Sequence, residues 1–178
     1  MTSEFEIREI DWAHDGPRLT RFDASFVTDK IYHVELRDDA MRLTVEALTA
    51  PLSKRYQLDG IKKAIDDADL SLAAVRKGSI AGFATVKHEV WNRRAWLTHL
   101  YVNPQNQGRG IGTTLIGEAI RFSKRRKARC LWLETQNVNY PAIQFYRKLG
   151  FEFCGFDNEL YDPLAAPGEK ALYFSIRL

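Results

Sequence analysis

The sequence predicts a mixed α/β fold of the α+β kind, a mostly antiparallel sheet of about six to seven strands flanked by helices, and three observations lead there. Leu70 to Val102 holds three consecutive strand-like runs joined by two short polar turns, the pattern of an antiparallel meander. At Gly110 the apolar spacing changes to a helical one, with Ile111, Leu115, Ala119 and Phe122 on one stripe. A short apolar strand, a second helix and two closing strands then follow, which adds crossover connections to the meander.

Taken in order, Phe5 to Ile10 alternates as a short strand, and Ile31 to Leu36 and Met41 to Ala47 read as extended segments either side of the polar turn Arg37, Asp38, Asp39. Ile61, Ala64, Ile65 and Ala68 share one face of a short helix spanning 61 to 68. The meander runs Leu70 to Arg76, Ile80 to Trp91 and Ala95 to Val102, with turns at Lys77-Gly78 and Asn92-Arg93. Cys130 to Thr135 is a strand. Pro141 opens the next helix where its missing N–H costs nothing, Ala142, Phe145, Tyr146 and Leu149 share a face, and Gly150 stops it. Phe151 to Phe156 and Ala171 to Ile176 close the set.

Composition bounds the function. A chain of 178 residues with 45% hydrophobic and 12% aromatic content is expected to form one domain, 1–178, with a substantial core. Its 26 basic and 23 acidic residues leave a net charge of +3, so no global field recommends nucleic acid or a membrane surface as partner. The cluster Lys124 to Lys127 with Arg129 falls at a helix end, where cations complement the dipole. Cys130 and Cys154 fit no metal-ligand spacing and sit in apolar surroundings, so both are expected to be reduced and packed. With no signal-peptide layout and no apolar run near ~18 residues, the expected location is cytoplasmic. A homodimer is left open.

The stretch most informative about chemistry is Leu97-Thr98-His99-Leu100-Tyr101-Val102-Asn103-Pro104-Gln105-Asn106-Gln107-Gly108-Arg109-Gly110-Ile111-Gly112, a strand joined to a helix by a glycine-dense turn. Glycines let the main chain approach a ligand, and the first N–H groups of the helix lack intrahelical partners, which suits a phosphate. A Walker loop would need Lys then Ser or Thr after its last glycine, and here Thr113 and Thr114 follow Gly112. A dinucleotide fingerprint would need Gly or Ala at Thr113 and an early strand-helix-strand unit.

What remains is Gln-x-x-Gly-x-Gly at Gln105, Gly108 and Gly110, which resembles the acetyl-CoA pyrophosphate loop of the GNAT N-acetyltransferase superfamily. Asn139-Tyr140-Pro141-Ala142-Ile143-Gln144-Phe145-Tyr146-Arg147-Lys148-Leu149-Gly150-Phe151 resembles the same superfamily's Asn-x-x-Ala-x-x-Phe-Tyr-x-Lys-x-Gly-Phe motif. The resemblance implies the GNAT acyl-CoA N-acyltransferase fold and acetyl-CoA as acyl donor. It gives the pantetheine arm to the main chain of Leu100, Tyr101 and Val102. The pyrophosphate goes to Gln105, Gln107, Gly108, Arg109, Gly110, Ile111 and Gly112, and Asn139 and Tyr146 also contact the cofactor.

Acetyl transfer to an amine needs a group to take the amine's proton and a donor for the departing thiolate. By the resemblance Tyr146 is that donor, and a phenol of pKa near ~10 suits a thiolate. Many superfamily members carry a glutamate two residues before the Leu100 position, where this chain has Thr98, which can orient a water but not accept a proton. His99 and Glu89 are the candidate bases, beside a water chain; strand alternation puts His99 on the face opposite Thr98.

Further segments are similar to streptothricin acetyltransferases: Phe22 to Asp29 with Ile31-Tyr32, Leu133 to Asn137, Gly155 to Asp157 with Leu160-Tyr161, and Gly168 to Tyr173. This implies a small cationic amine as acceptor, with Asp23, Asp29, Asp157, Glu159 and Tyr161 as its candidate contacts and Asp162 and Glu169 as further carboxylates. Two other readings stay open, a protein or peptide N-acetyltransferase and a non-catalytic acyl-CoA-binding module. No metal is called for.

Overall fold

The computed structural model describes residues 4–38 and 40–178, so Asp39 of the expected polar turn lies outside the described residues. The elements are β1 (Glu6–Glu9), α1 (Trp12–Leu19), β2 (Ser25–Arg37), β3 (Ala40–Arg55), α2 (Ile61–Asp66), β4 (Leu70–Arg76), β5 (Ser79–Glu89), β6 (Arg94–Val102), a 3-10 turn (Pro104–Asn106), α3 (Ile111–Arg125), β7 (Cys130–Gln136), α4 (Tyr140–Lys148), β8 (Glu152–Asp157) and β9 (Ala171–Arg177). Seven strands form one sheet in the order β1-β4-β5-β6-β7-β9-β8, and β2 and β3 pair separately. The β6–β7 pair is parallel; β1–β4, β4–β5, β5–β6 and β8–β9 are antiparallel. This is the mixed, mostly antiparallel sheet with helices that the sequence predicts.

The chain divides into two compact units. The first holds the described residues up to Ser25 with Arg55–Leu133 and Ile176–Leu178. Its core gathers Leu19, Phe22, Leu58, Ile61, Ile80 and Phe83, with Phe22 edge-on to Phe83 at 5.2 Å and Tyr101 against Phe83 at 5.4 Å. Helix α3 buries Ile111, Leu115, Ala119 and Phe122, the stripe read from the sequence, against β4, β5 and β6. Helix α1 is an addition to the sequence reading. Asp11 starts it by accepting from the Ala13 amide, while Gly16 and Pro17 inside it hide the helical pattern.

The second unit holds Phe26–Lys54 and Glu134–Ser175. Cross-strand contacts His33–Glu46 and Thr44–Glu35 run in opposite senses along β2 and β3, so that pair is antiparallel. Buried Asn137 is its polar anchor. The Asn137 Nδ2 donates to the Tyr32 carbonyl at 2.8 Å and the Tyr32 amide donates to the Asn137 carbonyl at 2.9 Å. Asn137 and Lys170 exchange a second pair of bonds, at 2.8 and 2.9 Å, so every strong polar group of this asparagine is satisfied. Tyr32 then stacks on Tyr140 at 5.5 Å and accepts at its hydroxyl from Gln144.

Several boundaries differ from expectation. Strands β2 and β3 extend well past the predicted segments, because both faces carry exposed residues and no alternation marks their ends. Strand β5 stops at Glu89, leaving Val90 and Trp91 exposed in the turn, and α2 stops at Asp66, short of Ala68. On α4 the buried line is Ile143 and Tyr146 rather than the face predicted through Ala142 and Leu149. Cys130 is buried and free as expected; Cys154 is free but exposed, since alternation along β8 turns it outward.

Candidate functional site

The first unit builds the glycine turn. Past the end of β6, the Asn103 side chain accepts from the Gln105 amide at 3.0 Å and starts the 3-10 turn, and Gln107 Nε2 donates to the Val102 carbonyl at 3.4 Å. Gly108 (φ +75°) and Gly110 (φ +79°) then take left-handed conformations that an L side chain adopts only under strain. Gly110 caps α3 without any side-chain hydrogen bond, and its carbonyl receives the Thr114 amide at 2.9 Å. The amides of Ile111, Gly112 and Thr113 precede the first bond of the helix. They stand at the positive end of a 15-residue helix whose first turn carries no acidic residue. That combination fits an anionic group. Arg109 pairs with Glu4 at 3.3 Å.

Strand β6 feeds this turn and carries a bulge. Pairing with β5 runs Gly82↔Val102 to Thr85↔His99, then resumes at Val86↔Leu97, so Thr98 is an extra residue. The parallel ladder with β7 ends at Leu97↔Leu133. Leu100, Tyr101 and Val102 therefore hold one edge against β5 beyond the end of the β7 ladder. The bulge also overturns the expected opposition of Thr98 and His99. Both reach Thr85: Thr98 Oγ1 at 2.5 Å and His99 Nδ1 at 2.9 Å from its Oγ1. An inserted residue breaks the two-residue parity on which the sequence expectation rested. Burial pushes the His99 imidazole below its ordinary value, and its ring faces Tyr101 at 6.1 Å.

Glu89 lies elsewhere. It sits opposite Arg94 at the other end of the β5–β6 hairpin, six residues of strand from Leu100, a distance of roughly 20 Å. Its Oε2 accepts from Asn92 Nδ2 at 3.1 Å and from Arg94 at 3.2 Å, which commits it to the turn. Asp23 accepts from the Ser25 amide and faces Arg55 at 4.0 Å.

The second unit carries the other candidates. Asn139 caps α4 by accepting from the Ala142 amide at 3.2 Å, followed by Pro141 in the first turn. Tyr146 is buried, 7% exposed, with Phe145 at 5.5 Å and Phe151 at 5.7 Å around its ring. Tyr161 donates to Glu134, and Lys54 pairs with Glu169. Burial pushes the Glu134 carboxyl above its ordinary value against the Tyr161 hydrogen bond, and nearby Glu169 adds to the rise. Tyr173 is also raised, by burial and then by Asp157 and Glu134. Asp157 accepts from the Glu159 amide at 2.8 Å, while Asp29 and Glu159 are exposed. Glu134 falls within the segment Leu133 to Asn137, to which sequence reasoning assigns no separate role for it. A lone acid in the apolar run Leu131-Trp132-Leu133 was its signal.

Among the described residues no group of three His, Cys, Asp or Glu is arranged to hold a metal, and no helix is long and apolar enough to cross a membrane.

The chain is similar to a streptothricin acetyltransferase of Streptomyces lavendulae, 38% identical over 169 residues, covering 91% of this chain and 89% of that protein. The crystal structure of nourseothricin acetyltransferase superposes with a TM-score of 0.89 at 36% identity, covering 98% of both chains. A Bacillus anthracis protein assigned as a streptothricin acetyltransferase, solved in complex with acetyl coenzyme A, gives a TM-score of 0.81 at 27% identity over 100% of this chain and 99% of that one. The profile of the Acetyltransferase (GNAT) family matches residues 33–151, a span that includes the bulged strand, the glycine turn and the Asn139–Phe151 motif. The chain therefore belongs to the GNAT acetyltransferase family.

Proposed function

We propose that this acetyltransferase, a single functional domain, moves the acetyl group of acetyl-CoA to a primary amine of a small cationic molecule, the β-lysine amine of streptothricin. The observation that carries the donor half is the N-terminus of α3, which no side chain caps, behind two left-handed glycines. The amides of Ile111 to Thr113 hold the diphosphate, and the main chain of Leu100, Tyr101 and Val102 aligns the pantetheine arm as a strand edge aligns an added strand. Bound acetyl-CoA supplies an activated thioester. Nitrogen bonds to the acetyl carbon, the carbon–sulfur bond breaks, a base takes the ammonium proton and the Tyr146 phenol protonates the sulfur. The similarity to streptothricin acetyltransferases supports the acceptor, and Tyr161, Glu134, Asp157 and Glu159 offer polar and anionic groups to a polycation.

Purified protein given acetyl-CoA should release thiol on addition of streptothricin, and mass spectrometry should find one acetyl group on the antibiotic. Faster acetylation of an alanyl peptide would replace the acceptor reading, and acetyl-CoA binding without transfer to any amine would end the catalytic one. Gly110→Ala tests the donor site separately. A Cβ there meets nothing within 4 Å, so the cost is backbone strain alone, about 1–2 kcal/mol, which the free turn relieves by leaving the left-handed conformation and which binding must then restore. Acetyl-CoA affinity measured by calorimetry should fall about tenfold.

A further inference from the structure

The hydroxyls around the β6 bulge fix the protonation pattern of His99. Three short contacts meet there. Thr98 Oγ1 lies 3.2 Å from the Thr85 carbonyl, Thr85 Oγ1 lies 2.5 Å from Thr98 Oγ1, and Thr85 Oγ1 lies 2.9 Å from His99 Nδ1. Each contact needs one proton, and the two threonines bring only two. The carbonyl cannot donate, so Thr98 gives its proton to the Thr85 carbonyl. Thr98 Oγ1 must then accept the Thr85 hydroxyl proton, and Thr85 Oγ1, its own proton spent, must accept from the imidazole.

We propose that Thr85 and Thr98 are positioning residues that hold His99 as the Nδ1–H tautomer, leaving the Nε2 lone pair to take the proton of the attacking amine. The opposite tautomer leaves one of the three contacts with two acceptors and no proton. Thr85 is fully buried, so no water competes for its hydroxyl, and His99 Nε2 makes no hydrogen bond among the described residues. Burial disfavours the imidazolium, which keeps the ring in the neutral form a base requires. Thr98 thus acts through His99. In the transfer step Nε2 gains the proton lost by the amine nitrogen, and the ring becomes the imidazolium until solvent removes it.

This role rests on the acetyl-transfer reading, but the tautomer is tested without it. Long-range proton–nitrogen NMR on protein labelled at its histidine rings, with His99→Gln for assignment, should show His99 protonated at Nδ1 and bare at Nε2 at neutral pH. Thr85→Val should move it towards the Nε2–H form, and Thr85→Ser, which keeps the hydroxyl, should restore it. An Nε2–H signature in the unsubstituted protein overturns the proposal whether or not any amine is acetylated. Once an acceptor is in hand, His99→Gln should lower kcat/KM about 100-fold with acetyl-CoA affinity unchanged. Thr85→Val should lower it about tenfold, with Thr85→Ser near the original. Unchanged kcat/KM in His99→Gln removes the base role, whereas absence of acetylation by the unsubstituted protein defeats the functional reading instead.

Discussion

Replacing Tyr146 with phenylalanine is expected to lower kcat about 100-fold while leaving acetyl-CoA affinity within a factor of two or so, in keeping with the loss of one general acid. The substitution removes one oxygen and keeps the ring that packs against Phe145 and Phe151. Packing of the motif helix should survive. A general acid contributes ~10²–10⁴-fold, and a thiolate of pKa near ~8.5 leaves without help more readily than an alkoxide, which places the loss at the lower end. Stopped-flow thiol release and calorimetry on the same preparation separate the two quantities. A fall in affinity that matches the fall in turnover would make Tyr146 a binding residue, and unchanged turnover would remove it from the chemistry.

The same residue shows where sequence was enough and where it was not. Motif position singled out Tyr146, while the apolar face drawn through Ala142 and Leu149 missed Ile143, which the structure buries beside it. Helix starts were readable because their chemistry is local: Asn139 and Pro141 cap and open α4, and Gly110 opens α3. The meander was readable because its strands alternate or run apolar between polar turns. Features made by long-range pairing were not. The bulge that brings Thr98 and His99 together on Thr85 depends on a register shift with β5, and no property of the six residues around it announces the shift. Glu89 looked available because its partners, Asn92 and Arg94, read as plain turn residues. The Glu134–Tyr161 bond joins positions 27 apart in the chain, beyond any local pattern. Helix α1 was missed for the opposite reason: Gly16 and Pro17 oppose a helix locally, and burial of Leu19 with the Arg8–Asp15 pair outweighs them.

That pair gives the largest expected effect on stability. The Asp15 side chain is 0% exposed and accepts from Arg8 Nη1 at 2.6 Å, Arg8 Nη2 at 2.7 Å and the Asp11 amide at 3.0 Å. It thereby ties α1 to β1 with a two-pronged charge-assisted contact. Asp15→Ala removes one partner of a mostly buried ion pair, a change worth ~3–5 kcal/mol; Arg8, about a third exposed, can turn to water, so the lower end of about 3 kcal/mol is expected. For a chain of this length that is a fall in Tm of roughly 6–12 °C. The hydrogen bonds from Arg8 hold the Asp15 carboxyl below its ordinary value, against the cost of burial. A depressed carboxylate stabilises the fold above its unfolded pKa of ~3.9, and that contribution is lost as pH falls through the lower folded value. The stability gap between the unsubstituted protein and Asp15→Asn, read from urea denaturation, should therefore be full at pH 6 to 7 and shrink below about pH 4. A gap that stays constant down to about pH 2 would mean that packing, rather than the charge on Asp15, holds α1 in place.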